Sequence, residues 1–172
     1  MSNIILIMGS PVTKNFWYTW WLAQHTKDSV LLSSLANCPA LTENTYEYYM
    51  KKFAARVNHI LQREKSKNIF IYGMFLTPAE RYYLFDNIDE KYTKYGIWVE
   101  DEYAKVIQEA SVDTELYKTL FKYRVSPKES ENFKDLIFVS TDVDCANSTF
   151  EPKITNTIDM LKELSDKLNG EE

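Results

Sequence analysis

Ile4-Ile5-Leu6-Ile7-Met8, then Gly9-Ser10-Pro11-Val12-Thr13-Lys14-Asn15, then Phe16-Trp17-Tyr18-Thr19-Trp20-Trp21-Leu22-Ala23 is the stretch on which the fold turns. The unbroken apolar run, closed by Gly-Ser-Pro, predicts a buried strand. The aromatic run predicts a helix to about His25, with Asn15 as its N-cap. Strand, tight loop, helix is the setting of a phosphate-binding loop, whose pattern is G-x-x-x-x-G-K-[ST]. In that pattern the glycines let backbone N–H groups curl around phosphate, the Lys reaches the outer phosphates and the hydroxyl ligates Mg²⁺. The helix adds the positive end of its dipole.

Anchored on Gly9, the pattern puts Lys14 in place of the second Gly, Asn15 in place of the Lys and Phe16 in place of the Ser/Thr. Only the first position is kept. A loop one residue shorter recovers Lys14 as the cation, but Asn15, a poor Mg²⁺ ligand, then holds the hydroxyl position. Pro11 has no N–H to offer, and Val12 and Thr13 stiffen the turn, so any anion nest is shallow. Residues 9–15 are therefore expected to form a vestigial phosphate loop.

The rest of the chain alternates strands and helices. Short strands are predicted at Ser29–Ser34, Ile69–Tyr72, Ile97–Glu100 and Asp135–Ser140. An amphipathic helix is expected from Thr42 to about Lys65, with Lys51, Lys52, Arg56, Arg63 and Lys65 on its solvated faces. Thr77-Pro78-Ala79-Glu80 is a capping-box start, and its helix is read on through Leu84, Phe85, Ile88 and Tyr92 to a stop at Gly96. Helices at 101–110 and 114–124 follow, and a last one carries Ile154, Ile158, Leu161, Leu164 and Leu168 on one stripe. The order predicts a single-domain α/β fold over residues 1–172, with a largely parallel five-stranded sheet flanked by helices.

Composition narrows the function. The 172 residues carry a net charge of −5, which disfavours a protein that coats nucleic acid, although a local basic groove is compatible with it. No apolar run is long enough to cross a bilayer and no signal pattern opens the chain, so a cytoplasmic protein without a membrane partner is expected. Cys38 and Cys145 make neither a disulfide framework nor a metal spacing. His25 and His59 form no triad with them. Glu100-Asp101-Glu102 and the Glu129/Glu131 pair read as solvated helix starts. Asp142, Asp144 and Asn147 lack the Gly and terminal Glu of a Ca²⁺ loop, so no metal site is expected.

This order of elements resembles the small P-loop kinases of the polynucleotide kinase and zeta-toxin type. Leu76-Thr77-Pro78-Ala79-Glu80-Arg81 after the third strand is similar to the family's N-L-T-P-x-x-R turn, and Trp98-Val99-Glu100 to the strand before its lid. Pro127 and Glu131-Asn132-Phe133 resemble its acidic-Gly-Phe segment. The resemblance implies a catalytic Asp just after strand two, where this chain has Leu35 in Ser33-Ser34-Leu35-Ala36-Asn37-Cys38. It also implies lid arginines, yet 105–121 contains none. Arg81, which matches a position that is often structural, and Arg124, the nearest arginine after that stretch, are the candidates for a phosphate contact.

Phosphoryl transfer needs positioned cations, Mg²⁺ and a base. The expectation is a catalytically degenerate kinase-like scaffold with no catalytic residues and no cofactor. It would serve a protein partner, and its Gly-poor, Tyr-rich acidic composition is similar to that of bacteriophage proteins that inhibit host enzymes. Trp17, Trp20 and Trp21 are either core or, where exposed, interface anchors; a homodimer is compatible with this. The alternative is an active nucleotide or polynucleotide 5′-kinase using ATP and Mg²⁺, with Lys14 on phosphate and Asp28 or Glu43 as the base. A third reading is a sensor that holds nucleotide without turnover.

Overall fold

The computed structural model describes residues 1–9, 15–33, 43–63, 67–73, 75–89, 91–100, 122, 124–140 and 150–170. The elements are β1 (Ser2–Met8), α1 (Asn15–His25), β2 (Ser29–Ser33), α2 (Glu43–Arg63), β3 (Asn68–Gly73), α3 (Pro78–Phe85), β4 (Tyr92–Glu100), a 3₁₀ turn (Glu129–Glu131), β5 (Asp135–Ser140) and α4 (Phe150–Asn169). The five strands form one sheet in the order β2-β3-β1-β4-β5. Every neighbouring pair is parallel. The α/β expectation holds, with the sheet wholly parallel. The helix expected at 101–110 and both cysteines lie outside the described residues; of the one expected at 114–124 only Lys122, which is helical, and Arg124, which is not, are described, so that helix stops short of Arg124.

β1 reads as continuous Ile-Leu-Met because it is the central strand and is covered on both faces. Ile4, Leu6 and Met8 join one core with Met50, Ala54, Val57 and Leu61 of α2 and Leu84 and Phe85 of α3. Ile5 and Ile7 join a second core with Tyr18 and Leu22 of α1 and Leu161 and Leu164 of α4. This division follows from handedness. The crossover from β1 to β2 runs one way along the sheet, those from β2 to β3 and from β3 to β4 run the other, and right-handed connections then put α1 opposite α2 and α3. The ends of α1 and α4 are tied by Ser165 Oγ donating to His25 O (2.7 Å) and by Lys27 N donating to Asn169 Oδ1 (2.8 Å).

Three boundaries differ instructively from the sequence. α1 starts at Asn15 itself, one residue earlier than read. α3 ends at Phe85, and Tyr92–Gly96 belongs to β4. Asn87 stops the helix: its Nδ2 donates to Tyr83 O (2.8 Å) and its carbonyl accepts from Asn58 Nδ2 of α2 (2.8 Å). Gly96, read as a helix stop, is instead a strand glycine over which Phe133 and Leu136 close. A Cβ there would lie 2.8 Å from Leu136 Cδ1 and 2.9 Å from the Phe133 ring.

Candidate functional site

The loops after β1 and β3 leave for opposite faces of the sheet, which makes the carboxyl edge between these two strands the topological switch point where open α/β sheets bind ligands. Met8 pairs with Gly73 at that edge. Gly9 leaves β1 at φ 148°, a backbone conformation that favours glycine. Ser10, Pro11, Val12, Thr13 and Lys14 lie outside the described residues, as do the side chains of Asn15, Phe16 and Trp17. The frame of a phosphate loop is therefore in place: a central strand, a glycine at its exit and a helix opening at Asn15.

The rim of this crevice next to β3 is held by a buried ionic knot. Thr77 caps α3 by accepting from Glu80 N (3.4 Å), while the Glu80 carboxylate reaches back to Leu76 N–H (2.6 Å). Burial pushes the Glu80 carboxyl above its ordinary range, opposed by the N–H groups of Leu76 and Thr77 and by Arg81. Phe75, buried beside it, sits at φ 44°, an uncommon conformation for a side chain of this size.

Arg81 is fully buried, and its position corrects the expectation of a phosphate contact. Its Nε and Nη2 clamp Glu131 at 2.6 and 3.1 Å, Nη1 donates to Phe75 O (2.8 Å), and Nη2 also donates to Val125 O (2.9 Å). Val125 N–H in turn donates to Leu76 O (2.7 Å). The guanidinium is committed to joining the β3 exit to the segment that enters β5. Arg124 is half-buried and adjoins that clamped residue.

Two further candidates are placed by the topology. Asp28 is exposed in the turn before β2 and takes a hydrogen bond from Asn68 N at the start of β3 (2.9 Å). That is the amino edge of the sheet, opposite the crevice, so Asp28 is not placed to act as a base there. Glu43 opens α2, which leaves from the carboxyl edge, but its side chain lies outside the described residues. On α1 the core face is Tyr18, Thr19 and Leu22, whereas Trp20 is 47 % exposed, the second of the two alternatives read for it. Trp21 is half-buried and stacks on His25 at 3.9 Å. Among the described residues no group of three His, Cys, Asp or Glu could hold a metal, and no helix is long and apolar enough to cross a membrane.

Lys94 was not singled out by its sequence. Its ammonium lies between the rings of Phe85 (4.1 Å) and Phe133 (4.3 Å) and donates to Glu131 O. Burial lowers it to about 8; Arg81 pushes the same way, and the Glu131 and Asp86 carboxylates push back. Because the folded value lies below the ordinary 10.5, the unfolded chain binds more protons between these two values. Stability from this group therefore rises as pH climbs from about 8 towards 10.5. Thermal unfolding of the protein and of Lys94→Met across that range should show the rise in the first and its loss in the second.

No family model matches the chain, and no curated protein matches it. Solved structures do. A sugar kinase from Janibacter sp. HTCC2649 superposes with a TM-score of 0.69 at 10% identity, covering 94% of this chain and 95% of that one. A gluconokinase from Sinorhizobium meliloti 1021 gives 0.62 at 10% identity, over 96% and 97% of the two chains. A fungal RNA kinase gives 0.55 at 12% identity, over 96% and 88%. The fold is the P-loop kinase-like fold. Identities this low carry the fold alone.

Proposed function

We propose that this chain is a catalytically degenerate P-loop kinase-like protein that acts as a binding scaffold for a protein partner, in the manner of a regulator or inhibitor. One observation carries the reading: α1 opens at Asn15, so the first helical residues, where the motif carries its Lys and Ser/Thr, are Asn15 and Phe16. With that cation displaced to Lys14 and the Mg²⁺ hydroxyl replaced, the dipole of α1 and Lys14 are what remain to attract phosphate. Arg81, the one motif arginine shared with the resembling kinases, is spent on Glu131. The half-exposed Trp20 is the anchor such a surface would use, since Trp is enriched at binding hot spots. A bacteriophage source and a cytoplasmic setting belong to the same reading.

The test is a titration with Mg·ATP and Mg·GTP followed by tryptophan fluorescence and calorimetry. Trp20 and Trp21 lie on the helix beside the loop and report its occupancy. Flat titrations to millimolar nucleotide are expected. Saturable micromolar binding with phosphoryl transfer to a nucleoside, a sugar or a 5′-hydroxyl end would replace the scaffold with an active kinase.

A further inference from the structure

We propose that the outer face of α2 docks single-stranded nucleic acid through its phosphates, without reading sequence. This surface is separate from the crevice, so the inference stands or falls independently of the scaffold reading. Tyr48, Lys52, Arg56, His59 and Arg63 are all exposed and follow one another at spacings of four, four, three and four residues. On a helix these positions fall within about 80° of arc and extend over about 22 Å. They form the pole opposite Met50, Ala54, Val57 and Leu61, which face the core.

The pole is one-signed although the chain as a whole carries −5. The remaining exposed positions among the described residues of α2 are Lys51, Ala55 and Gln62, none of them acidic. Glu47, which is half-buried, pairs with Lys51 at 3.0 Å, off the row. Neither Arg56 nor Arg63 has an ion-pair partner among the described residues. Like charges held along one helix face repel one another, so the arrangement costs stability that an anion would recover.

The chemistry of the row selects the anion. A docked protein needs a desolvated apolar anchor at the centre of its contact. Here the only large aromatic on the row is Tyr48, at one end, with the Lys52 ammonium over its ring at 4.6 Å. Exposed cations paired singly with carboxylates contribute little. A phosphate polyanion releases condensed counterions at each cation it meets, which rewards a bare row of charges. A membrane surface would attract three peripheral cations by only about 1 kcal/mol each, and the apolar face that could add insertion is buried in the core. A row one cation wide tracks a single backbone, and an exposed tyrosine at its end offers a stacking platform for a base.

Fluorescence anisotropy with a labelled oligothymidylate about a dozen nucleotides long tests this on the full chain. Three contacted phosphates predict a slope of log K against log salt of about −2, hence binding about 20-fold weaker at 200 than at 50 mM salt. Lys52→Glu, Arg56→Glu and Arg63→Glu together should abolish the signal. Lys91→Glu, Lys134→Glu and Lys162→Glu, which make the same change in net charge at other exposed sites, should leave affinity within about threefold. The milder Arg56→Gln, Arg63→Gln pair should flatten the slope by about 1.4. The proposal is overturned by no binding at low salt, by equal loss in both triple variants, by equal competition from polyglutamate of matched length (an acidic protein surface), or by binding to anionic vesicles alone.

Discussion

Replacing Arg81 with Leu is expected to destabilise the fold by about 3–5 kcal/mol, the usual cost of removing one partner from a buried ion pair. The Glu131 carboxylate, 4 % exposed, would lose both guanidinium bonds and keep only the N–H of Lys128 (3.0 Å). Phe75 O and Val125 O would each lose a donor inside the protein. Set against a typical total stability of about 5–15 kcal/mol, that loss leaves a domain near its threshold. Urea unfolding should show a lower midpoint with an unchanged slope. In the double variant Arg81→Leu, Glu131→Leu no buried charge is stranded, and a good part of the loss should be recovered. A single variant within about 1 kcal/mol of the parent would mean that water reaches the pair and that the knot is not closed.

That pair also marks how far the sequence could be read. The Thr77-Pro78 start of α3 was legible because capping is local chemistry. The central strand was legible because burial on both faces leaves no polar position in it. Asn132 is legible after the fact: it takes φ 59° where the resembling kinases carry Gly, and Asn is among the few side chains that tolerate that conformation. The partnership of Arg81 with Glu131 was not legible. The two are 50 residues apart, and only the sheet order brings the β5 entry against α3. The over-long α3 has a different cause: Leu84, Ile88 and Tyr92 continue a helical spacing by accident, and Asn87 ends the helix by bonding to a neighbouring helix, a tertiary effect with no local signature. Lys94 looked like an ordinary charged strand residue until Phe85 and Phe133 closed on it.

The same limit applies to the crevice. Gly9 and the departure from the Walker pattern follow from linear order, and the onset of α1 does so to within one residue. Asp28 was excluded as a base by topology alone, since a residue just before β2 lies at the amino edge of a parallel sheet. Arg81 was withdrawn from phosphate binding by burial. Both results take a candidate away from the active-kinase alternative while leaving the frame of the proposed scaffold intact. A frame that survives the loss of its chemistry is what a scaffold requires, because the packing of β1 between β3 and β4 does not depend on what the loop binds.

Rebuilding the loop should therefore restore nucleotide binding without restoring turnover. Lys14→Gly, Asn15→Lys and Phe16→Ser together return the second Gly, the cation and the Mg²⁺ hydroxyl to the register set by Gly9 and the onset of α1. Affinity for Mg·ATP should move from beyond the millimolar range to micromolar, about 1000-fold or about 4 kcal/mol, visible as a saturable change in the fluorescence of Trp20 and Trp21. Phosphoryl transfer should remain absent, because Leu35 still stands where the base belongs and no arginine lies in 105–121. Binding is recovered by one loop because strand, glycine and helix dipole are already aligned there. Catalysis is not, because its components come from three separate segments and act as a unit. A rebuilt loop that still fails to bind would show that the crevice itself is closed to nucleotide, and the scaffold reading would then rest on the shape of the cleft and not on the lost side chains.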